Sequence, residues 1–301
     1  SQWGDWYMVG SDGVVQSGVQ RWYGRYYYFD PTTYLKLDHQ DYVRSQWGSW
    51  YMVGSDGIVQ SGIIRWYGSL YYFDPITYLL KTSGYVVSNG VAYIAGSDGK
   101  LTAVTNAVNS YILKNYLGHA AITYDYVIPS DVTDTYSDTS DGKPNMIVVH
   151  ETADDATIWE EINYEKNTYE DAFVHAFVDG NNIIVISNTD HEAWGAGYPA
   201  NGRAVQFEQI EVTGASNFAK EISNAAYFTA YMMKKYGLTP SLAQLNGTGT
   251  LWSHHNVSQY LGGTDHTDPD GYWYNRASTY FGTTYTMSNF CQLVSLYYNT
   301  L

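Results

Sequence analysis

Aromatic and β-branched residues come in short bursts over the first hundred positions, and glycine cuts each burst. Trp6-Tyr7-Met8-Val9 has the content of a strand. Gly10-Ser11-Asp12-Gly13 supplies turn residues that tolerate positive φ, and Val14-Val15-Gln16 returns. The unit reads as a β-hairpin. Tyr27-Tyr28-Phe29 then ends at Asp30-Pro31, where proline fixes φ at the start of a turn. Glycine recurs too often here for helix.

The pattern also repeats. Residues 1–35 and 45–79 are nearly the same text, offset by 44, differing only at Asp5/Ser49, Val14/Ile58, Val19/Ile63, Gln20/Ile64, Arg25/Ser69, Tyr26/Leu70 and Thr32/Ile76. A worn third copy follows, with Ser97-Asp98-Gly99 answering Ser55-Asp56-Gly57. The copies span 1–44, 45–84 and 85–100. A finer echo sets Trp3-Gly4-Asp5-Trp6-Tyr7 against Tyr23-Gly24-Arg25-Tyr26-Tyr27, 20 residues later. Periods this short mean small units stacked in a row, each too small to bury its apolar face alone. Residues 1–100 therefore read as an all-β repeat of stacked hairpins.

From residue 101 to 301 the periodicity changes. Val108–Leu117 has helical spacing in Ile112, Leu113 and Tyr116, and Gly118 stops it. Pro129–Pro144 is rich in Ser, Thr, Asp and Gly and reads as an exposed loop. Met146-Ile147-Val148-Val149-His150 is a short apolar run, the mark of a buried strand, closed by a histidine at the sheet edge. Further strands are expected at Ala172–Val178, Ile183–Ile186 and Val205–Glu208. Asn217–Tyr236 reads as a long helix, with Ser216 as N-cap, Lys234 and Lys235 in the last turn, and Gly237 then Pro240 beyond. The expected fold is α/β, a central mixed sheet flanked by helices.

Charge sharpens this division. The chain has net charge −15, and residues 1–100 carry 7 of the 15 Lys and Arg but only 8 of the 30 Asp and Glu. Acidity belongs to the second part, which supports a boundary near residue 100. So acidic a chain argues against nucleic acid as a partner, since a phosphate backbone calls for clustered Lys and Arg. No run of about 18 apolar residues appears, so no membrane span is expected. Cys291 is the one cysteine, which excludes an intrachain disulfide and a Cys-rich zinc site. The chain opens at Ser1 without a basic-then-apolar leader, as expected of a chain whose export signal has been removed or of a fragment.

The chemistry clusters late. Ser253-His254-His255-Asn256-Val257-Ser258 precedes Gly262-Gly263-Thr264-Asp265-His266-Thr267-Asp268-Pro269. Two histidines plus a carboxylate from separated loops can make the open three-ligand sphere of a catalytic zinc. A histidine-rich loop can equally be a hydrogen-bonded turn.

Two resemblances sit on these residues. The spacing of Gly, paired aromatics and Asp-Gly over residues 1–79 resembles the choline-binding and glucan-binding repeats of Gram-positive surface proteins. That resemblance implies aromatic cages for a quaternary ammonium or a sugar, here from Trp6, Tyr7, Trp22, Tyr27, Trp50, Tyr51, Trp66 and Tyr71. Packing within the hairpins is the other use open to each ring. The long Asp30–Tyr42 stretch departs from the short choline-binding unit, so a wall glycan or teichoic polymer is as fitting a partner.

Residues from about 106 to 301 resemble the type 2 N-acetylmuramoyl-L-alanine amidases, especially the staphylococcal autolysin branch. The matching stretches are Ile147–Thr152, Ala172–Gly180, Ala193–Gly197, Trp252–Ser258 and Leu261–Pro269. The resemblance implies one Zn2+ held by His150, His254 and Asp268, with His255 a neighbour that could exchange roles with His254. It implies hydrolysis of the amide between N-acetylmuramic acid and L-alanine in peptidoglycan, by a secreted, wall-associated protein. His266 would stabilise the oxyanion or bridge its loop, and His175, Trp194, Gly195 and Gly197 would line the groove. The strand glutamate that the branch uses as general base is matched by Val185. Glu208 is the replacement, or else a group that orients a ligand; Glu151 points to the other side of its strand. A muropeptide-binding protein that does not turn over is the alternative. His39, His119 and His191 are expected at the surface.

Overall fold

The computed structural model describes residues 5–301, so Trp3 and Gly4, which open the 20-residue echo, lie outside it. The chain forms two compact units: residues up to Asn89 with Tyr93–Ala103, and Gly90–Ala92 with Val104–Leu301.

The first unit is built of small antiparallel pairs. β1 (Met8–Val9) pairs β2 (Val15–Gln16), and β3 (Gly18–Trp22) pairs β4 (Arg25–Phe29). β5 (Asp41–Arg44) pairs β6 (Trp50–Val53), and β7 (Gly62–Trp66) pairs β8 (Ser69–Phe73). β9 (Tyr85–Ser88), β10 (Val91–Ala95) and β11 (Leu101–Ala103) form a three-stranded sheet. The hairpin turns explain a recurring dipeptide. Trp22 pairs Arg25, leaving Tyr23-Gly24 as a two-residue loop with φ of 45° and 81°, and Tyr67-Gly68 repeats it at 42° and 81°. Both loop residues need positive φ, so glycine holds the second position. Copies are stitched by backbone and side chain. Val59 N–H donates to Tyr26 O at 2.8 Å, and the Gln46 amide bonds Val19 N–H and C=O at 2.8 and 2.9 Å. Val19, Tyr28, Val43, Val53 and Val59 form a thin core drawn from both copies. One copy alone has too little to bury.

The second unit has a six-stranded sheet in the order β12-β15-β14-β16-β13-β17. The strands are β12 (Ile122–Tyr124), β13 (Met146–Glu151), β14 (Ala176–Val178), β15 (Ile183–Val185), β16 (Ala204–Gln209) and β17 (Leu251–Ser253). All neighbours run parallel except β14 and β15, so the sheet is mixed. Six helices accompany it: α1 (Ala107–Lys114), α2 (Ile158–Thr168), α3 (Ala215–Lys235), α4 (His254–Tyr260), α5 (Asp270–Phe281) and α6 (Met287–Tyr298). One sheet face packs on α3, with Phe207 edge-on to Phe228 at 5.3 Å. The other carries Phe177 and Ile184 against Ile158 and Ile162 of α2. Burial on both faces is why the strands read as apolar runs.

Element ends differ from the sequence reading for local reasons. α3 starts at Ala215 after Gly214, whose φ of 88° turns the chain, so Ser216 lies inside the first turn instead of capping it. α1 ends at Lys114, with the Asn106 side chain accepting from Val108 and Asn109 N–H at its start. β14 is shorter than expected because Val174 N–H is taken by the Glu165 carboxylate.

Candidate active site

β13 and β17 run parallel with Val149 opposite Ser253, a register offset of 104. One step further along each chain stand His150 and His254. Their separation in sequence is therefore the strand register, which sets both rings at the same carboxyl-end edge of the sheet, where open α/β sheets hold ligands. Ser253 caps α4 by accepting from Asn256 N–H, which fixes His254 as its first residue. Asp268 arrives from the α4–α5 connection, anchored where its carbonyl accepts from His255 N–H at 3.0 Å and its carboxylate from Glu151 N–H at 3.3 Å.

His150 Nδ1 lies 2.9 Å from His254 Nδ1, which is 3.1 Å from Asp268 Oδ1; His150 Nδ1 to Asp268 Oδ2 is 3.6 Å. All three ligand atoms fall within 4.8 Å of one another. Tetrahedral zinc with bonds near 2.0–2.1 Å sets its ligands about 3.3 Å apart, so the spacing fits. The charge state fits too. Burial, then the neighbouring His254, pushes His150 down to about 3, so its ring is neutral and offers a lone pair. Burial opposes ionisation of Asp268, yet the His254 hydrogen bond and both imidazoles together hold its carboxyl below the usual range. Thr264 Oγ1 sits 3.0 Å from His254 Nε2 and steadies the ring from behind. His266 stacks on His254, centroids 4.3 Å apart, with its Nδ1 3.5 Å from Asp268 Oδ1 and its side chain 62% exposed. His255 turns away and meets Asp270 at 2.6 Å, so it is not part of this cluster.

A cavity of about 290 Å³ opens beside the triad, bordered by Glu151, Glu161, Glu165, Glu208 and Asp268 and by no lysine or arginine. Glu208 pairs His150 across the ladder, and its Oε2 is buried without a hydrogen-bond partner. Burial, followed by the Asp268 and Glu165 charges, pushes its carboxyl well up. Glu151 was expected on the far side of its strand, but at the strand end it borders the cavity. Its carboxyl rises to about 8 through burial and a hydrogen bond with Glu211. Glu165, which the sequence reading passed over, comes from α2, is 9% exposed, and rises to about 8 through burial.

Other expected residues lie elsewhere. His175 does not line the groove: it is 0% exposed, with Nδ1 accepting from Gln206 N–H and Nε2 bonded to His191 O. A mid-sheet histidine flanked by apolar neighbours is held inside. Trp194 packs edge-on to Phe173 at 5.4 Å as part of the core. Gly195 does border the cavity. Gly197, at φ 73°, is where two loops cross, since a Cβ there would overlap Gly263 O. On β15, Ile184 shares the row of Phe177, Glu208 and His150, while Val185 lies in the adjacent row, opposite Ala176; both are apolar and buried. His39 and His119 are exposed, whereas His191 is half-buried against Thr133 O.

In the repeat unit, Trp6, Tyr7, Trp22 and Tyr27 border one cavity of about 530 Å³, with Lys36 and Asp56 at its side. The second copy is arranged differently. Tyr42 packs over Trp50, Trp66 and Phe73 at 5.4, 5.8 and 5.9 Å, and Tyr71 stands edge-on to Trp66. Tyr51 borders a smaller cavity of about 150 Å³ with Tyr26, Trp47 and Tyr78.

Comparison with known proteins bears on the second unit. A family model for N-acetylmuramoyl-L-alanine amidase matches residues 140–271. The bifunctional autolysin of Staphylococcus aureus (strain NCTC 8325 / PS 47) is 44% identical over 171 residues, 56% of this chain, which spans only 13% of that relative's length. The Staphylococcus aureus hydrolase AmiA, solved in complex with its ligand, aligns with 65% of this chain and 91% of its own, at 40% identity and a TM-score of 0.58. The chain belongs to the N-acetylmuramoyl-L-alanine amidase family.

Proposed function

We propose that this chain is a zinc-dependent N-acetylmuramoyl-L-alanine amidase, exported to the bacterial wall and held there by its aromatic repeats. One observation carries the reading: two imidazole nitrogens and one carboxylate converge within 4.8 Å at the carboxyl ends of parallel strands. Three such atoms aimed at one point repel one another unless protons or a cation lie between them, and one cation can satisfy all three at once.

His150, His254 and Asp268 would hold the ion. Bound there, zinc polarises the amide carbonyl and makes water acidic enough to attack near neutral pH. The remaining work falls to side chains. His266, exposed beside His254, donates to the carbonyl oxygen as negative charge builds on it. Glu208 takes the proton that the attacking water sheds, its carboxyl ionising once a cation offsets the neighbouring carboxylates. Gly195 borders the cavity and lets its loop pack against Val174 and Gln206, where a Cβ would not fit. Trp6, Tyr7, Trp22 and Tyr27 stack on rings of a wall glycan or on a teichoic polymer, with Trp50, Tyr51, Trp66 and Tyr71 supporting the array.

A second reading, a muropeptide-binding protein without turnover, is favoured by the wholly apolar Ile183-Ile184-Val185 strand, which brings no acid to the cleft. Digestion of purified walls separates the two. The amidase releases free stem peptide, and a chelator or His254→Ala abolishes the release; retention on walls with no release by the unaltered chain would favour the second.

A further inference from the structure

Amide hydrolysis needs a proton on the departing nitrogen, because an amine anion does not leave. The cavity beside the triad holds four glutamates and no lysine or arginine, so its carboxyls have no cation of their own. Each is bound differently. Glu151 shares a hydrogen bond with Glu211, and Glu161, at the rim, is hydrogen-bonded to Asp154. Glu208 is the ladder partner of His150. Glu165 stands on the α2 wall, 9% exposed, and both its oxygens face a single partner, Val174 N–H at 3.2 Å. That contact holds the carboxyl in place and leaves its O–H free to point elsewhere. Glu161, four residues earlier on the same helix face, borders the same cavity.

We propose that Glu165 is a catalytic residue, the acid that protonates the departing stem-peptide nitrogen. This deepens the amidase reading and rests on it. As the C–N bond breaks, its electron pair stays on nitrogen and takes the Glu165 proton. The hydroxyl of water goes to the carbonyl carbon and its proton to Glu208. Exchange through solvent then returns the proton from Glu208 to Glu165. The amine leaves neutral and becomes an ammonium by taking the proton that the newly formed carboxylic acid releases; that ammonium is a cation among carboxyls that have no lysine or arginine beside them. Burial, by raising this carboxyl to about 8, keeps the proton in place at neutral pH.

The test uses the full chain, zinc-loaded, and Glu165→Gln, which keeps an oxygen for Val174 N–H. On muramoyl peptides the variant should lose at least about a hundredfold in kcat with KM little changed, the lower end of the range for acid–base groups. On a muramoyl anilide, whose amine leaves more easily, the loss should shrink to about tenfold or less. Zinc content and thermal midpoint, measured on both, show whether the variant is folded and loaded. Glu165→Asp, which keeps the acid, should recover part of the rate. Equal losses on peptide and anilide, or a Glu165→Gln rate within about threefold of the parent, overturn the proposal. If the parent itself releases no stem peptide, the amidase reading falls and this assignment with it.

Discussion

The two units differ in whether they can enclose a tryptophan. In the repeats Trp6 and Trp22 are 63% and 46% exposed; the second unit leaves Trp159 on the outside of α2 at 59% but holds Trp252 and Trp273 at 0%. The cause is thickness. Two-stranded hairpins offer one ring layer and few neighbours, so large rings stay at the surface and become available to a flat ligand. A six-stranded sheet covered on both faces swallows its rings, and that rigid interior can hold buried histidines and a carboxylate at fixed distances. Binding can be shared among many exposed rings; a three-atom cluster cannot be shared.

Substituting tryptophans tests that contrast most strongly. Trp273→Ala should destabilise the second unit by about 3–5 kcal/mol, as a large buried aromatic does. Trp22→Ala should change stability by about 0.5 kcal/mol or less while weakening wall retention a few-fold. Thermal midpoints and a wall pull-down read both; equal destabilisation by the two would remove the distinction. Within the repeats, Trp66→Ala should cost more stability than Trp22→Ala, since Tyr42 already covers Trp66.

A smaller effect lies behind the triad. Thr264→Val removes the partner of His254 Nε2 and should weaken zinc binding about tenfold to a hundredfold, measured by competition with a chromogenic chelator. An unchanged affinity would mean that the ring is held by packing alone.

The last concerns pH. Burial lowers His175 from its ordinary value near 6.5 to about 4, so the folded unit binds fewer protons there than the unfolded chain. Its contribution is fully present above pH 6.5 and is lost as pH falls through about 4. His175→Gln should flatten that acid limb in urea titrations, and an undiminished limb would assign it to other groups.

The sequence carried part of this in plain form. The apolar run ending in His150 marks a buried strand, but its meeting with His254 came only from the family resemblance; the 104-residue interval is a strand register that shows once the sheet is folded. Asp268 needed a motif, because nothing in local pattern says where a connection folds back. Glu165 was hidden because α2 reads as an ordinary polar helix, with Glu160, Glu161 and Glu165 spaced like a solvated face. Only the packing of α2 over the sheet turns Glu165 inward, while Glu160 stays exposed. His175 was hidden for the converse reason: it stands just before β14, and its partners, Gln206 N–H and His191 O, come from distant segments. Tyr42, in β5, carried no signal of its own, since its packing over Trp50 and Trp66 needs the hairpins already folded.

The most direct measurement is metal stoichiometry, taken by elemental analysis on the purified chain and on Asp268→Ala after equal exposure to zinc and gel filtration. The account predicts one zinc per parent chain and almost none in the variant, with both still folded. A parent that retains no zinc, or a variant that retains as much, would contradict it.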